Sequence, residues 1–168
     1  MHPVARQLFE AHLENELQRQ RLVQINPIFS GRGFTVDPTL CFVLMPFRDE
    51  LRPVYEDHIK KIVEEFGMQA KRADDIFTNS AIIEDIWTSI NQARLIVADL
   101  TGKNPNVFYE VGIAHTVGKD VILVTQSIED VPFDLRHLRH IQYEYTPRGM
   151  AAFEQQLKNT ITTMTGRG

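Results

Sequence analysis

Arg94-Leu-Ile-Val-Ala-Asp99-Leu-Thr-Gly-Lys-Asn-Pro-Asn-Val-Phe-Tyr-Glu110-Val-Gly-Ile-Ala-His115 is the stretch on which the fold turns. Leu95 to Ala98 run apolar without a break, as a parallel strand covered on both faces requires, and the first carboxylate, Asp99, comes where that strand should end. Thr101 to Asn106 then bring Gly, Pro and two Asn, which is loop chemistry. A helix follows. Asn106 reads as its N-cap, which puts Glu110 in the first helical turn, where the helix dipole favours the ionised carboxylate. At about 100° per residue Val107, Val111, Ala114 and Gly118 share one stripe, and Glu110 projects between Ala114 and Val117 at the edge of the sheet-facing side. A capping box would pair the cap with the third helical residue, Tyr109 on this register, so capping does not explain Glu110. Loops at the carboxyl ends of parallel strands are where such sheets bind ligands, and this makes Glu110 the leading candidate for chemistry.

Working outward, Leu40-Cys-Phe-Val-Leu-Met45 is a first core strand ended by Pro46. A helix near Leu51 to Phe66 sets Leu51, Tyr55, Ile59, Ile62, Val63 and Phe66 on one face and stops at Gly67. Met68 to Arg72 is a short strand and Asp74 to Asn79 a polar turn. Ser80 opens a helix whose Ile82, Ile83, Ile86, Trp87, Ile90 and Ala93 form a wide apolar face, so Trp87 is expected in the core. Beyond Gly118, Asp120 to Thr125 repeats the buried-strand pattern and Ile141 to Tyr145 suits another strand. Thr146-Pro147 begins a last helix striped by Met150, Phe153, Leu157, Ile161 and Met164. The alternation predicts an α/β, three-layer flavodoxin- or Rossmann-like domain with a parallel sheet of about five strands.

Ahead of it, Val4, Leu8, Leu13, Leu17 and Leu22 fall at loosely helical spacing among Gln, Glu and Arg, and Asn26 to Pro38 reads as a linker. The expected division is residues 1–38 as N-terminal helix and linker and 39–168 as the α/β domain. That helix either covers its own domain or packs on a partner subunit; a homo-oligomer is expected. With 168 residues, 43% of them hydrophobic, the chain suits one domain with a sizeable core. A net charge of −4 argues against a broad electrostatic grip on nucleic acid or an anionic membrane. Cys41 is alone, within a strand, and reads as a buried structural thiol, which fits a reducing, cytoplasmic setting. No apolar run reaches the roughly 18 residues of a membrane span.

Three segments should converge at the carboxyl edge of the sheet: Phe47-Arg48-Asp49, the Asp74 to Asp85 region, and Asp99 to Glu110. Phe47, Arg48, Asn104 and Asn106 are the candidate substrate-binding residues. Arg48 suits either an anion anchor or an exposed partner for Glu50 or Glu110. Asp85 flanks its helix's apolar stripe while Glu84 points away. Asp99 is either catalytic or a turn-stabilising carboxylate that accepts from the amides of Thr101 and Gly102. His137 and His140 lack carboxylate partners at ligand spacing, no Gly-x-Ser-x-Gly elbow is present, and Gly31-Arg-Gly33 has neither the strand before it nor the helix after it of a phosphate loop. No metal or cofactor is expected.

The run from Asp99 to Lys119, with Asn-Pro-Asn-Val-Phe-Tyr-Glu at its centre, resembles the corresponding segment of nucleoside 2-deoxyribosyltransferase-like proteins, and the similarity spans roughly residues 40 to 145. That resemblance implies that Glu110 attacks the anomeric carbon of a nucleoside and that Asp85 helps hold sugar or base. Related nucleotide N-glycosidases carry a Gly- and Ser-rich loop after the first strand; Met45-Pro-Phe-Arg48 stands in its place here. The order of elements also resembles the NAD-cleaving Toll/interleukin-1 receptor (TIR) domains, with a comparably placed glutamate. The expected function is cleavage or transfer of the N-glycosidic bond of a nucleoside, nucleotide or NAD-like substrate. The alternative is a nucleotide-sensing module without turnover that signals through the N-terminal helix.

Overall fold

The computed structural model describes residues 3–21, 26–73 and 82–166. The chain divides into two compact units, residues 1–30 and residues 31–168. The first contains helix α1 (Pro3–Arg21), on which Val4, Leu8, Phe9 and Leu13 are exposed. The side chains of Leu17 and Leu22 lie outside the described residues, as do the expected turn from Asp74 to Asn79 and the helix start at Ser80.

The second unit is a sheet of β1 (Asp37–Leu44), β2 (Gln69–Arg72), β3 (Ala93–Asp99), β4 (Val121–Thr125) and β5 (His140–Gln142). Every pairing is parallel and the order is β2-β1-β3-β4-β5. Parallel neighbours need crossovers, and these run through α2 (Lys60–Glu65), α3 (Ile82–Gln92) and α4 (Pro105–Thr116) and, between β4 and β5, through the 3-10 turns Ile128–Asp130 and Phe133–Leu135, with α5 (Pro147–Thr165) closing the chain. This is the expected α/β three-layer, flavodoxin-like architecture. The direction of winding reverses between β1 and β3, so a crevice opens beyond their carboxyl ends.

Two apolar layers sandwich the sheet. Val43, Leu95 and Val97 pack with Tyr55, Ile59, Phe153 and Leu157 on the α2/α5 side. Phe42, Leu44, Ile96 and Ala98 pack with Ile86, Ile90, Val107 and Val111 on the α3/α4 side. The two-residue period of each strand thus feeds both layers, and this is why Leu40 to Leu44 of β1 and Leu95 to Ala98 of β3 are apolar at every step. Cys41 is fully buried, and burial pushes its thiol up to about 12, as suits a structural role. Trp87 is buried as expected; its Nε1 donates to the Gly31 carbonyl at 3.1 Å and its ring meets Phe34 edge-on.

Several local expectations need correction. The helix expected from Leu51 to Phe66 is not uniform: a π-helical segment, Val54–Ile59, precedes α2. Met164 is exposed, because the stripe leaves the core after Ile161. The N-cap of α4 is Asn104, not Asn106. Asn104 is extended, and its side-chain oxygen accepts from the amides of Asn106 at 2.9 Å and Val107 at 3.3 Å. Pro105 explains the choice, since it disfavours helical backbone in the residue before it and is itself suited to the first helical position. Glu110 consequently sits in the second turn, beyond the reach of the terminal amides.

Candidate active site

The loop between β3 and α4 is held from three sides. Asp99 Oδ1 accepts from the Thr101 amide at 2.9 Å, Asp130 Oδ2 accepts from the Gly102 amide at 2.8 Å, and Thr101 Oγ1 accepts from the Gln126 amide at 3.0 Å. Gly102 and Lys103 both have positive φ, 77° and 56°. Glycine suits 102 through its positive φ, a backbone region that side chains rarely adopt; the Arg48 guanidinium that a Cβ would meet at 2.7 Å is the end of a flexible, exposed side chain that can move aside. So braced, the loop fixes where α4 begins.

Beyond β1 and β3 lies a cavity of about 320 Å³, within the range of small-molecule sites. Its floor is Val43, Leu44 and Met45, α3 contributes Ile82, Ile83 and Ile86, and α4 contributes Asn106, Val107, Tyr109 and Glu110. Phe47 and Asn104 complete the rim together with Ala73. Four expected site residues, Phe47, Asn104, Asn106 and Glu110, therefore share one cavity. Glu110 is its one charged group among the described residues. The carboxyl is half-buried among apolar neighbours, and this desolvation raises its pKa to about 7. The expected dipole-stabilised carboxylate is corrected accordingly.

Asp99, Asp85 and Arg48 stand elsewhere. Asp99 continues the Leu95 and Val97 face toward α5, opposite the face that carries Glu110. There it is fully buried, with Oδ2 accepting from the Tyr143 hydroxyl at 2.6 Å; burial raises its pKa against the pull of Thr101 and Tyr143. Its bond to the Thr101 amide is the turn-stabilising arrangement, although the Gly102 amide goes to Asp130 instead. Asp85 is half-buried on α3 and forms no part of the cavity wall; Glu84, expected to point away, is half-buried too. Arg48 is exposed, lies over Gly102 and pairs loosely with Glu50 at 3.8 Å. Tyr109 is a polar cavity residue that sequence reasoning missed, though its place three residues after Asn106 and beside Glu110 marks it for the same helical rim. Among the described residues no group of three or more His, Cys, Asp or Glu is placed to hold a metal ion.

No protein-family model matches the sequence, and no curated protein does. Solved structures do match. The TIR domain of a Toll-related receptor from Hydra magnipapillata aligns with a TM-score of 0.58 at 13% identity, over 74% of this chain and 97% of that one. A 2-deoxyribosyltransferase from Leishmania mexicana aligns with a TM-score of 0.53 at 14% identity, over 70% and 98%. A 2-deoxyribosyltransferase from Bacillus psychrosaccharolyticus gives 0.53 at 13% identity, over 70% and 95%. The chain has their fold. The resemblance carried by the Asp99 to Lys119 run and the one carried by the order of elements are thereby both present at the level of architecture, and the deoxyribosyltransferase and TIR structures each align over nearly their whole length. At such identities the shared property is the fold, and the chemistry has to be argued from the cavity itself.

Proposed function

We propose that this chain cleaves or transfers the N-glycosidic bond of a nucleoside, nucleotide or NAD-like substrate, with Glu110 as nucleophile. The observation that carries the reading is a single half-buried carboxylate in a mostly apolar cavity at the β1/β3 switch point. The fold shared with two 2-deoxyribosyltransferases agrees with it.

Breaking an N-glycosidic bond develops positive charge at the anomeric carbon, and a carboxylate beside that carbon stabilises or captures it. Glu110 attacks the anomeric carbon as the carbon–nitrogen bond breaks; the bonding electrons leave with the base, so a purine or pyrimidine takes up a proton from solvent while the pyridinium of an NAD-like substrate departs neutral without one. The glycosyl ester on Glu110 is then opened by water, giving hydrolysis, or by the nitrogen of a second base, giving transfer. Partial desolvation raises the carboxylate's basicity and removes competing water from its nucleophilic oxygen. Phe47 and Tyr109 offer exposed aromatic surface to a base, and Asn106 and the Tyr109 hydroxyl offer hydrogen bonds to a sugar. Helix α1, with its exposed Val4, Leu8, Phe9 and Leu13, is assigned to pairing with a second copy of the chain.

The test is chromatographic detection of free base after incubation with nucleosides, nucleoside 5′-monophosphates and NAD. Glu110→Gln keeps the size and removes the charge, so ligand binding survives while base release falls by several orders of magnitude, as when an essential nucleophile is lost. Wild-type rates in the Gln variant would eliminate the mechanism. Saturable binding with no base released by either protein would mark the chain as the sensing module instead.

A further inference from the structure

Arg72 closes β2 and was not singled out by any motif, yet it is only 5% exposed, an unusual position for arginine. It continues the Ala70 side of its strand and is in register with Val43 of β1, which brings its guanidinium to the carboxyl rim of the sheet. Two rings enclose it there. The guanidinium carbon lies 5.0 Å from the ring centre of Tyr55 and 5.4 Å from that of Phe47. Tyr55 is a fixed backstop: it is buried in the π-helical segment, and its hydroxyl donates to the Ala70 carbonyl at 3.2 Å. Phe47 is the reverse, 59% exposed at the end of β1 and part of the cavity wall.

Phe47 presents more than half of its surface to solvent, and the Arg72 guanidinium lies 5.4 Å from its ring centre. A guanidinium lying against one face of a ring, backed by a buried ring, restrains that ring's orientation and leaves the opposite face for a ligand. We infer that Arg72 is a positioning residue: by stacking between Tyr55 and Phe47 it holds Phe47 as the wall against which a planar heteroaromatic ring of the substrate stacks. The identity of the stacked ring rests on the function proposed above; the restraint on Phe47 does not.

Fluorine NMR of protein labelled with fluorophenylalanine separates the two. Phe47→Leu assigns the Phe47 signal among the ten phenylalanines, and the other nine report whether the fold is intact. In Arg72→Met, and in Arg72→Gln as a second uncharged variant, the Phe47 signal moves while the others stay. Arg72→Lys, which keeps a charge over the ring, restores much of the original signal. For turnover, or for binding if turnover is absent, Arg72→Met weakens nucleoside KM or Kd about tenfold with kcat little changed, and adds nothing once Phe47 is already leucine. An unmoved Phe47 signal in the uncharged variants overturns the inference, as do additive effects of the two substitutions or a loss confined to phosphorylated ligands, which would make Arg72 a direct anion contact. If neither uncharged variant folds, Arg72 is structural and the inference falls. Absence of base release from the wild type, with the Phe47 signal still responding to Arg72, would defeat the proposed reaction and leave the positioning role standing.

Discussion

Glu110 titrates near 7, whereas an ordinary glutamate titrates at 4.5, and this difference has opposite consequences for activity and stability. As nucleophile it must be ionised, so base release should rise with pH up to about 7 and fall roughly tenfold per unit below. For stability, the folded chain holds a proton between those two values that the unfolded chain has released. Folding is therefore favoured at low pH in this term, and the contribution declines as pH rises from 4.5 toward 7, leaving a full penalty above. Glu110→Gln removes the penalty. The variant should be more stable than the wild type by about 1 to 3 kcal/mol at pH 8, after allowance for solvent screening, and nearly equal to it at pH 4.5. Paired urea titrations at the two pH values decide this; a Gln variant no more stable at pH 8 would show that the carboxylate is not desolvated. The position of Glu110 on a helix edge was legible from the 3.6-residue spacing of Val107, Val111 and Ala114, all of them buried. Its raised pKa was not, because that depends on Ile82, Ile83 and Met45, brought from other elements.

Two contacts tie whole elements together, one at the site and one on the opposite face of the sheet. Asn104 satisfies two amides at the start of α4, so Asn104→Ala should cost about 1 kcal/mol, read as a lower urea midpoint at unchanged slope. Because the same helix carries Asn106, Tyr109 and Glu110, base release should decline with it. The second contact joins the end of β3 to the residue after β5: the Tyr143 hydroxyl donates to buried Asp99, whose other oxygen accepts from Thr101. Tyr143→Phe leaves a buried carboxyl oxygen without its donor and should cost about 1.5 to 3 kcal/mol. Base release should change little beyond the loss of folded protein, since Asp99 and Glu110 occupy opposite faces of the sheet. A large fall in kcat in folded Tyr143→Phe would restore Asp99 to the chemistry. Element boundaries followed the punctuation of the chain where one residue type dominated, as with Thr146, whose hydroxyl oxygen accepts from the Gly149 amide ahead of α5. Where two asparagines flank Pro105, the sequence pointed to Asn106 as the cap, and the backbone restriction imposed by proline selected Asn104 instead.

At the scale of the molecule, residues 1–30 form a unit of their own, and α1 exposes Leu8 to 69%. If α1 pairs copies of the chain, removing residues 1–30 should convert a dimer to a monomer by light scattering while residues 31–168 keep their circular dichroism and melting transition. An unchanged mass would remove the pairing. What the sequence by itself determined was the alternation of apolar runs and amphipathic helices, hence the parallel three-layer sheet, its carboxyl-edge loops and the placing of Glu110 beside a crevice. Only the tertiary structure decided which face each strand residue took. A strand apolar on both sides carries parity without polarity: the two-residue period says that Asp99 sides with Val97 against Ala98, and nothing local says which helices cover that side. The same ambiguity hid Arg72, whose burial depends on rings from β1's end and the π-helical segment, distant in sequence and adjacent only once the sheet has formed.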